Sequence, residues 1–362
     1  MQPRNIKVFI VDDSAVARTT ISALLMNEND IGLHGVASDP IIARSKFERY
    51  GWPDVIILDI EMPRMDGLTF LKQIMQERPT PVIICSSVAQ EGSLNAIEAL
   101  SIGAVEVIAK PEIGLKDFLE ESRYRLIHAI KAAYESKGAL KSVSSRLTMR
   151  TVEKKVDAGA MLALSDKRIH RLSHPVIAIG SSTGGVQTLE RLLPDLTEET
   201  PPILIVQHMP SGFTRSLAQR LHRLCRVNVK EAQEGDMLCL GHVYIAPGDK
   251  HMMLKRSFNG YTLEIKDGPK VSRHKPSIDV LFRSVANEAG ANALGFILTG
   301  MGDDGAKGLK EMKEKGAKTY AQDEASCIVY GMPKVAVEIG AVVGSLTIEE
   351  MIETMKRSVY AR

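Results

Sequence analysis

Cysteine is scarce and scattered: Cys85, Cys225, Cys239 and Cys327 are the four in 362 residues, and no two form a C-x-x-C pair. That spacing signals neither a zinc site nor a redox dithiol, and it reads as free thiols in a reducing compartment. An excess of one charge is also lacking. With 46 basic and 44 acidic residues the net charge is +2, so no chain-wide field recruits nucleic acid. No basic recognition helix stands out in the C-terminal half, which argues against a DNA-binding output. No apolar run approaches the ~20 residues that cross a bilayer. The opening MQPRNIKVFIVDD is apolar only over a strand's length and ends in acids, unlike a secretory leader. The expectation is a cytoplasmic protein that does not insert into membranes.

What is present is an ordinary globular composition, 44% apolar and 25% charged. At roughly 100–200 residues per domain, the length favours two domains. KVFIVDD, DVIILDI, PVIICSS and VEVIAK read as buried strands alternating with helical spacing over 15–27, 40–49, 67–77 and 91–102, and a last helix is expected over 115–134. Strands apolar on both faces suit a parallel sheet covered by helices. The expected unit, residues 1–134, is a five-stranded flavodoxin-like (βα)5 fold. Residues 135–174 are polar, Ser-rich and basic, and read as a linker with a short helix near 159–165. From Pro175 to Arg362 a second doubly wound α/β domain is expected. VIAIG, ILIVQH, HVYIAP, ALGFILTG and AVVGS form its strands, and a hairpin turns at Asn259–Gly260.

Ligand sites of doubly wound sheets lie at the carboxyl ends of the strands. Three acids sit at such ends in the first domain: Asp12 and Asp13 after the first strand, and Asp59 after the third. Close carboxylates need a compensating cation, and an oxygen-only donor set suits Mg2+. Ser86–Ser87 end the fourth strand and Lys110–Pro111 the fifth, with a cis bond a candidate at Pro111. A metal, a lysine and a hydroxyl around one carboxylate are the parts that stabilise in-line phosphoryl transfer, with Asp59 as acceptor. The motifs VDDS, LDIEMPRMDG, Ser86 and AKP resemble response-regulator receiver domains. The resemblance implies phosphorylation by a partner histidine kinase. It departs at Val107, three before Lys110, where such domains often carry an aromatic residue; a buried-aromatic output switch is therefore not expected.

In the second domain VIAIGSSTGGVQTLERLL reads as strand, glycine-rich turn and helix. A phosphate-binding G-x-x-x-x-G-K-[ST] fails because Val186 and Gln187 replace its Lys and Ser/Thr, and a dinucleotide G-x-G-x-x-G fails at Ser182. G-x-S-x-G fits Gly180 to Gly184 and puts Ser182 on a tight turn before a helix N-terminus. A serine nucleophile needs a base, and His208 ends the strand expected beside it. His251 and His274 are less well placed and are candidates to face substrate. The orienting acid is Asp303 or Asp304, in the turn TGMGDDG.

IGSSTGG, QHMPSGFT, YIAPGDKHM, RHKPSIDVLF, LTGMGDDGAKG and AQDEASCIVYGMP together resemble the catalytic domain of the chemotaxis protein-glutamate methylesterase (CheB) family. By position the resemblance implies Ser182 as nucleophile, His208 as base and Asp304 as orienting acid, with Thr183 and Met301 in the oxyanion region. It departs at Ser181, where the family usually has alanine. It implies hydrolysis of glutamate γ-methyl esters on chemoreceptors, deamidation of their glutamines, a role in chemotaxis adaptation, and no cofactor for the ester chemistry. Arg273 and His274 are candidate substrate contacts. Control is expected to run through docking of the first domain over Ser182, released by phosphorylation of Asp59. The rival reading is a regulator whose second domain only binds partners.

Overall fold

A computed structural model describes residues 5–26, 28–86, 90–110, 116–139, 156–164, 175–258 and 260–358. The chain divides into two compact units, Met1–Val143 and Ser144–Arg362.

The first unit runs β1 (Ile6–Val11), α1 (Ala15–Leu25), β2 (Ile31–Ala37), α2 (Pro40–Tyr50), β3 (Val55–Leu58), α3 (Gly67–Glu77), β4 (Val82–Ser86), α4 (Gln90–Ile102), β5 (Glu106–Ala109) and α5 (Lys116–Ala139). The sheet order is β2-β1-β3-β4-β5, with every pairing parallel. This is the flavodoxin-like order, whose switch point lies between β1 and β3. Every residue of β3 and β4 is buried, as a sheet covered on both faces requires. Local chemistry starts the helices where the sequence suggests. Ser14, Asp39 and Asp66 cap α1, α2 and α3, each side chain accepting a backbone N–H from inside the first turn. Strand β2 has no apolar signature of its own; it alternates IGLHGVA and is buried only at its two ends.

The second unit comprises β6 (Val176–Ser181), α6 (Gly185–Leu192), β7 (Ile203–Gln207), α7 (Phe213–Leu224), β8 (Asn228–Glu231), β9 (His242–Ile245), β10 (His251–Ser257), β11 (Gly260–Lys266), α8 (Ile278–Glu288), β12 (Ala293–Ile297), α9 (Ala306–Glu314), β13 (Lys318–Gln322), α10 (Met332–Glu338), β14 (Gly344–Leu346) and α11 (Ile348–Arg357). Seven strands pair in the order β14-β13-β12-β6-β7-β9-β8, all parallel. Strands β10 and β11 form a separate antiparallel hairpin. The chain leaves β6 toward β7 on one side, and β12 flanks it on the other. The topological switch point therefore lies at β6. The main core of this unit gathers Val176, Leu204, Tyr244, Leu254, Phe282, Ile297 and Leu309 from sheet, hairpin, α8 and α9.

Three expectations need correction. Helix α5 continues to Ala139, so the first residues expected to be linker are helical. The helix expected near 159–165 is replaced by one 3-10 turn, Ala158–Ala160. Asp157 caps it through Gly159 N, and Met161 and Leu162 then leave the helical path to pack against the apolar cluster of Ala158, Met253, Val271 and Val280. Strands β8 and β13 and helix α10 escape a reading by apolar runs. In β13, KTYAQ mixes buried and exposed positions and shows no continuous apolar stretch.

Gly67 starts α3 directly against the β3 terminus: a Cβ there would lie 2.1 Å from the backbone oxygen of Asp59. Gly67→Ala is expected to destabilise the first unit by about 1–3 kcal/mol, because backbone must move to admit the methyl. The chain's single tryptophan, Trp52, lies in that unit and reports its urea unfolding by fluorescence; an unchanged midpoint would contradict the packing argument.

Candidate functional site

At the carboxyl edge of the first sheet, ligand oxygens of Asp12, Asp13 and Asp59 lie within 4.8 Å of one another. Lys110 Nζ donates to Asp59 Oδ2 at 2.7 Å and lies 3.2 Å from Asp12 Oδ2. Asp12 and Asp59 are almost fully buried, whereas Asp13 is exposed. Burial pushes the Asp59 carboxyl up to about 6, and the neighbouring Asp12 adds to the rise against the opposing pull of Lys110. Asp12 is raised mainly by burial as well. Asp12 Oδ2 is buried, and its cationic neighbour is Lys110 Nζ at 3.2 Å, which it shares with Asp59. Oxygen-only donors from three acids, with one lysine facing more than one of them, fit a hard divalent cation such as Mg2+. Ser86 is buried at the end of β4, and its carbonyl accepts from Lys110 N. Ser87 and Pro111 lie outside the described residues. Val107 is buried on β5.

The second site forms where β6, β7 and β12 end. Ser182 follows β6, and its N–H donates to Thr299 O just beyond β12. His208 follows β7, and its N–H donates to Ser181 O. Gly300 makes the close approach possible: a Cβ there would sit 2.6 Å from Ser182 Cβ. His208 Nε2 lies 2.8 Å from Asp304 Oδ2. Since the carboxylate accepts, Nε2 carries the proton and Nδ1 is the lone-pair nitrogen. His208 Nδ1 is buried and has no hydrogen-bond partner among the described residues.

Asp304 is held by more than the histidine. Its Oδ1 accepts from Ser277 Oγ at 2.8 Å and from Asp279 N at 3.0 Å, and its Oδ2 also accepts from Ile278 N at 2.9 Å. The carboxylate therefore caps the N-terminus of α8, where free N–H groups and the helix dipole favour an anion. Burial alone would raise its pKa, yet the hydrogen bond from His208, electrostatic attraction to the His208 and His274 rings and the Ile278 N–H hold it below the ordinary range. Asp304 thus both caps a helix and partners the histidine, and the capped helix is α8, not α9, which follows it in sequence.

Thr183 and Met301 lie beside this cluster and are buried; Thr183 O accepts from Thr299 Oγ1 at 3.0 Å. The extra hydroxyl of Ser181 is buried and engaged by a neighbouring side chain. It donates to Gln207 Oε1 at 2.7 Å, and Gln207 Nε2 in turn donates to the carbonyls of Ser182 and His208. His274 stacks flat on His208, with ring centroids 3.8 Å apart. Arg273 occupies the turn just before it, with φ 72°. His251 is not a substrate-facing residue. It is fully buried, takes Ser277 N on Nδ1 and gives Nε2–H to Pro269 O, so burial depresses its pKa and its role is packing. The sequence reading missed Ser277, Asp279 and Gln207 as parts of the site. All three lie in stretches already marked, RHKPSIDVLF and QHMPSGFT, and a Ser preceding a helical run was the available signal for the first two.

The two sheets and their sites define a class: a flavodoxin-like unit with an acid cluster, joined in one chain to a doubly wound α/β unit that carries a serine, a histidine and an aspartate at its strand ends. The receiver-domain family model (Response regulator receiver domain) matches residues 8–122, and the CheB methylesterase model matches residues 177–355. A Shewanella oneidensis protein named protein-glutamate methylesterase/protein-glutamine glutaminase 3 is 53% identical over 96% of this chain and 98% of its own length. A Chromobacterium violaceum relative, named protein-glutamate methylesterase/protein-glutamine glutaminase 2, is 53% identical over 93% of this chain and 95% of its own. The crystal structure of the Thermotoga maritima CheB methylesterase catalytic domain covers 51% of this chain and 98% of its own, at 38% identity and a TM-score of 0.50. The chain belongs to the CheB methylesterase family. Among the described residues no helix is long and apolar enough to cross a membrane.

The raised Asp59 pKa carries a sign. The folded state holds its proton to a higher pH than the unfolded state, so between about pH 4 and 6 folding takes up a proton and stability falls as pH rises. Without divalent cation, Asp59→Asn is expected to stabilise the first unit at pH 7.5 by on the order of 2 kcal/mol and to flatten that slope. Trp52-detected urea titrations at pH 4.5 and 7.5 measure both; an equal loss at both pH values would refute the assignment.

Proposed function

We propose that the chain is a phosphorylation-controlled protein-glutamate methylesterase that hydrolyses glutamate γ-methyl esters on chemoreceptors and deamidates receptor glutamines, in chemotaxis adaptation. The observation that carries the reading is the buried Nδ1 of His208, without a hydrogen-bond partner among the described residues and fixed as the basic nitrogen by Asp304 at Nε2. A buried lone pair without a donor costs about 1–3 kcal/mol in a folded protein, and an awaiting proton donor supplies the reason.

Ser182 Oγ attacks the ester carbonyl carbon while His208 Nδ1 takes its proton. Backbone N–H groups around Thr183 and Met301 face the developing oxyanion. The tetrahedral intermediate expels the methoxy group, which receives the proton from His208 and leaves as methanol. Water then repeats the sequence on the acyl-enzyme: His208 accepts its proton, the acyl–serine bond breaks, and Ser182 Oγ recovers the proton, leaving glutamate. A glutamine amide follows the same path with ammonia as leaving group. Asp304, ionised and fully hydrogen-bonded, stabilises the transient imidazolium and keeps Nε2 protonated. Arg273, on the turn beside His208, contacts substrate.

In the first unit Asp59 accepts a phosphoryl group from a histidine kinase, and Ser86 and Lys110 bond the phosphoryl oxygens. Asp12, Asp13 and Asp59 would hold Mg2+, which supplies charge neutralisation for the transfer. The acyl phosphate then relieves inhibition of the esterase. The protein acts in the cytoplasm.

Ser182→Ala should lose methanol release from methylated receptor by at least about 10^4-fold and lose labelling by a fluorophosphonate. Labelling that persists in the variant would remove Ser182 from its role, and a wild-type chain that neither labels nor releases methanol would favour a partner-binding module. For the control, wild type is expected to release methanol faster with acetyl phosphate and Mg2+, and Asp59→Asn is expected to be insensitive to them. Equal wild-type rates under both conditions would sink the control without touching the esterase.

A further inference from the structure

The turn that carries His274 is built at an energetic disadvantage. Val271 and His274 exchange both backbone hydrogen bonds, so Ser272 and Arg273 form a two-residue hairpin turn. Both have positive φ, 49° and 72°, a conformation that side-chain-bearing residues rarely adopt and that glycine or asparagine usually supplies. Such a conformation persists only where the surroundings over-determine it, and it clusters at working sites.

Two braces do so here. Ser272 Oγ donates to Asp279 Oδ2 at 2.8 Å, and Asp279 Oδ1 accepts from Gly308 N at 2.8 Å, tying the turn to the first turns of α8 and α9. On another side Ser272 N donates to Val156 O at 2.9 Å. Val156 leads into the 3-10 turn 158–160, where Ala158 is buried against Met253, Val271 and Val280. Asp157 pairs with Arg283, and Asn287 donates to Ala163 O, so the 156–163 strap is fastened along α8.

The turn delivers one side chain. His274 Nδ1 donates to Ser272 O at 2.8 Å, which fixes the ring. The ring lies 3° from parallel to His208 at 3.8 Å, and its Nδ1 stands 3.8 Å from Asp304 Oδ2. Asp304 holds the His208 ring at one nitrogen and leaves rotation about that hydrogen bond open; a flat neighbour on one face closes it. We infer, on the reading of His208 as the base, that His274 is a positioning residue: its stacked ring sets the plane in which His208 Nδ1 faces Ser182, and the turn braced by Asp279 and the 156–163 strap holds that ring in place.

In the full chain, His274→Ala is expected to lower kcat for methyl-ester hydrolysis about 10- to 100-fold, the scale of a misaligned reacting group, with KM within about twofold. His274→Phe, which restores a flat ring without nitrogens, should recover most of that loss. A KM increase with kcat intact would make His274 a substrate contact alone, and a Phe variant as slow as the Ala variant would require its nitrogens; either overturns the inference. Ser272→Ala, which deletes only the bond to Asp279, provides a milder arm should His274→Ala not fold. It should slow fluorophosphonate labelling of Ser182 by about three- to tenfold, and an unchanged labelling rate overturns the bracing. Ser182→Ala runs alongside: if it still labels and turns over, the reading of the site has failed, and not the role given to His274.

Discussion

The second unit is organised around one buried carboxylate. Asp304 accepts four hydrogen bonds, from His208, Ser277, Ile278 and Asp279. An ion in this position is tolerable only because those donors, several from a helix N-terminus, replace its hydration. The same four bonds bring β7, β12 and α8 to one point. Removing the charge would cost the helix its cap and the histidine its orientation together. Stability and chemistry here share an atom.

That sharing extends outward. Asp279, in the first turn of the helix that Asp304 caps, is driven up in pKa by burial and by the nearby Asp304 charge. It nevertheless accepts from Gly308 N and Ser272 Oγ, so two acids side by side at neighbouring helix starts serve as junctions between elements far apart in sequence. In the first unit the equivalent junction is Lys110, set between Asp12 and Asp59. There the balance is struck differently. Two buried acids, with exposed Asp13 beside them, face one lysine, the signature of a site prepared for another positive charge.

Much of this was legible before any coordinates. The acids at strand ends, the G-x-S-x-G turn and the apolar strands follow from residue type and spacing, because strand ends and tight turns have strong local requirements. Less legible were elements whose signal is not apolar. Strands β2 and β13 depend on neighbouring strands for their place, and half-buried alternation resembles a loop when read alone. The strap at 156–163 looked like polar linker because its anchors, Ala158, Met161 and Leu162, are too few to stand out in a basic stretch.

By itself the sequence determined which chemistries were available: three acids and a lysine for a phosphoryl group, and a serine, a histidine and a pair of aspartates for an ester. Spacing alone left Asp303 and Asp304 open, since adjacent residues in a glycine-rich turn differ only in direction, and the family resemblance pointed to Asp304. In the fold Asp304 meets both the α8 N-terminus and His208 Nε2. Nor could any spacing rule have stacked His274 on His208, 66 positions apart by their numbering (274 − 208). That contact exists because a strained turn is held from two sides at once, which is a property of packing and not of local sequence.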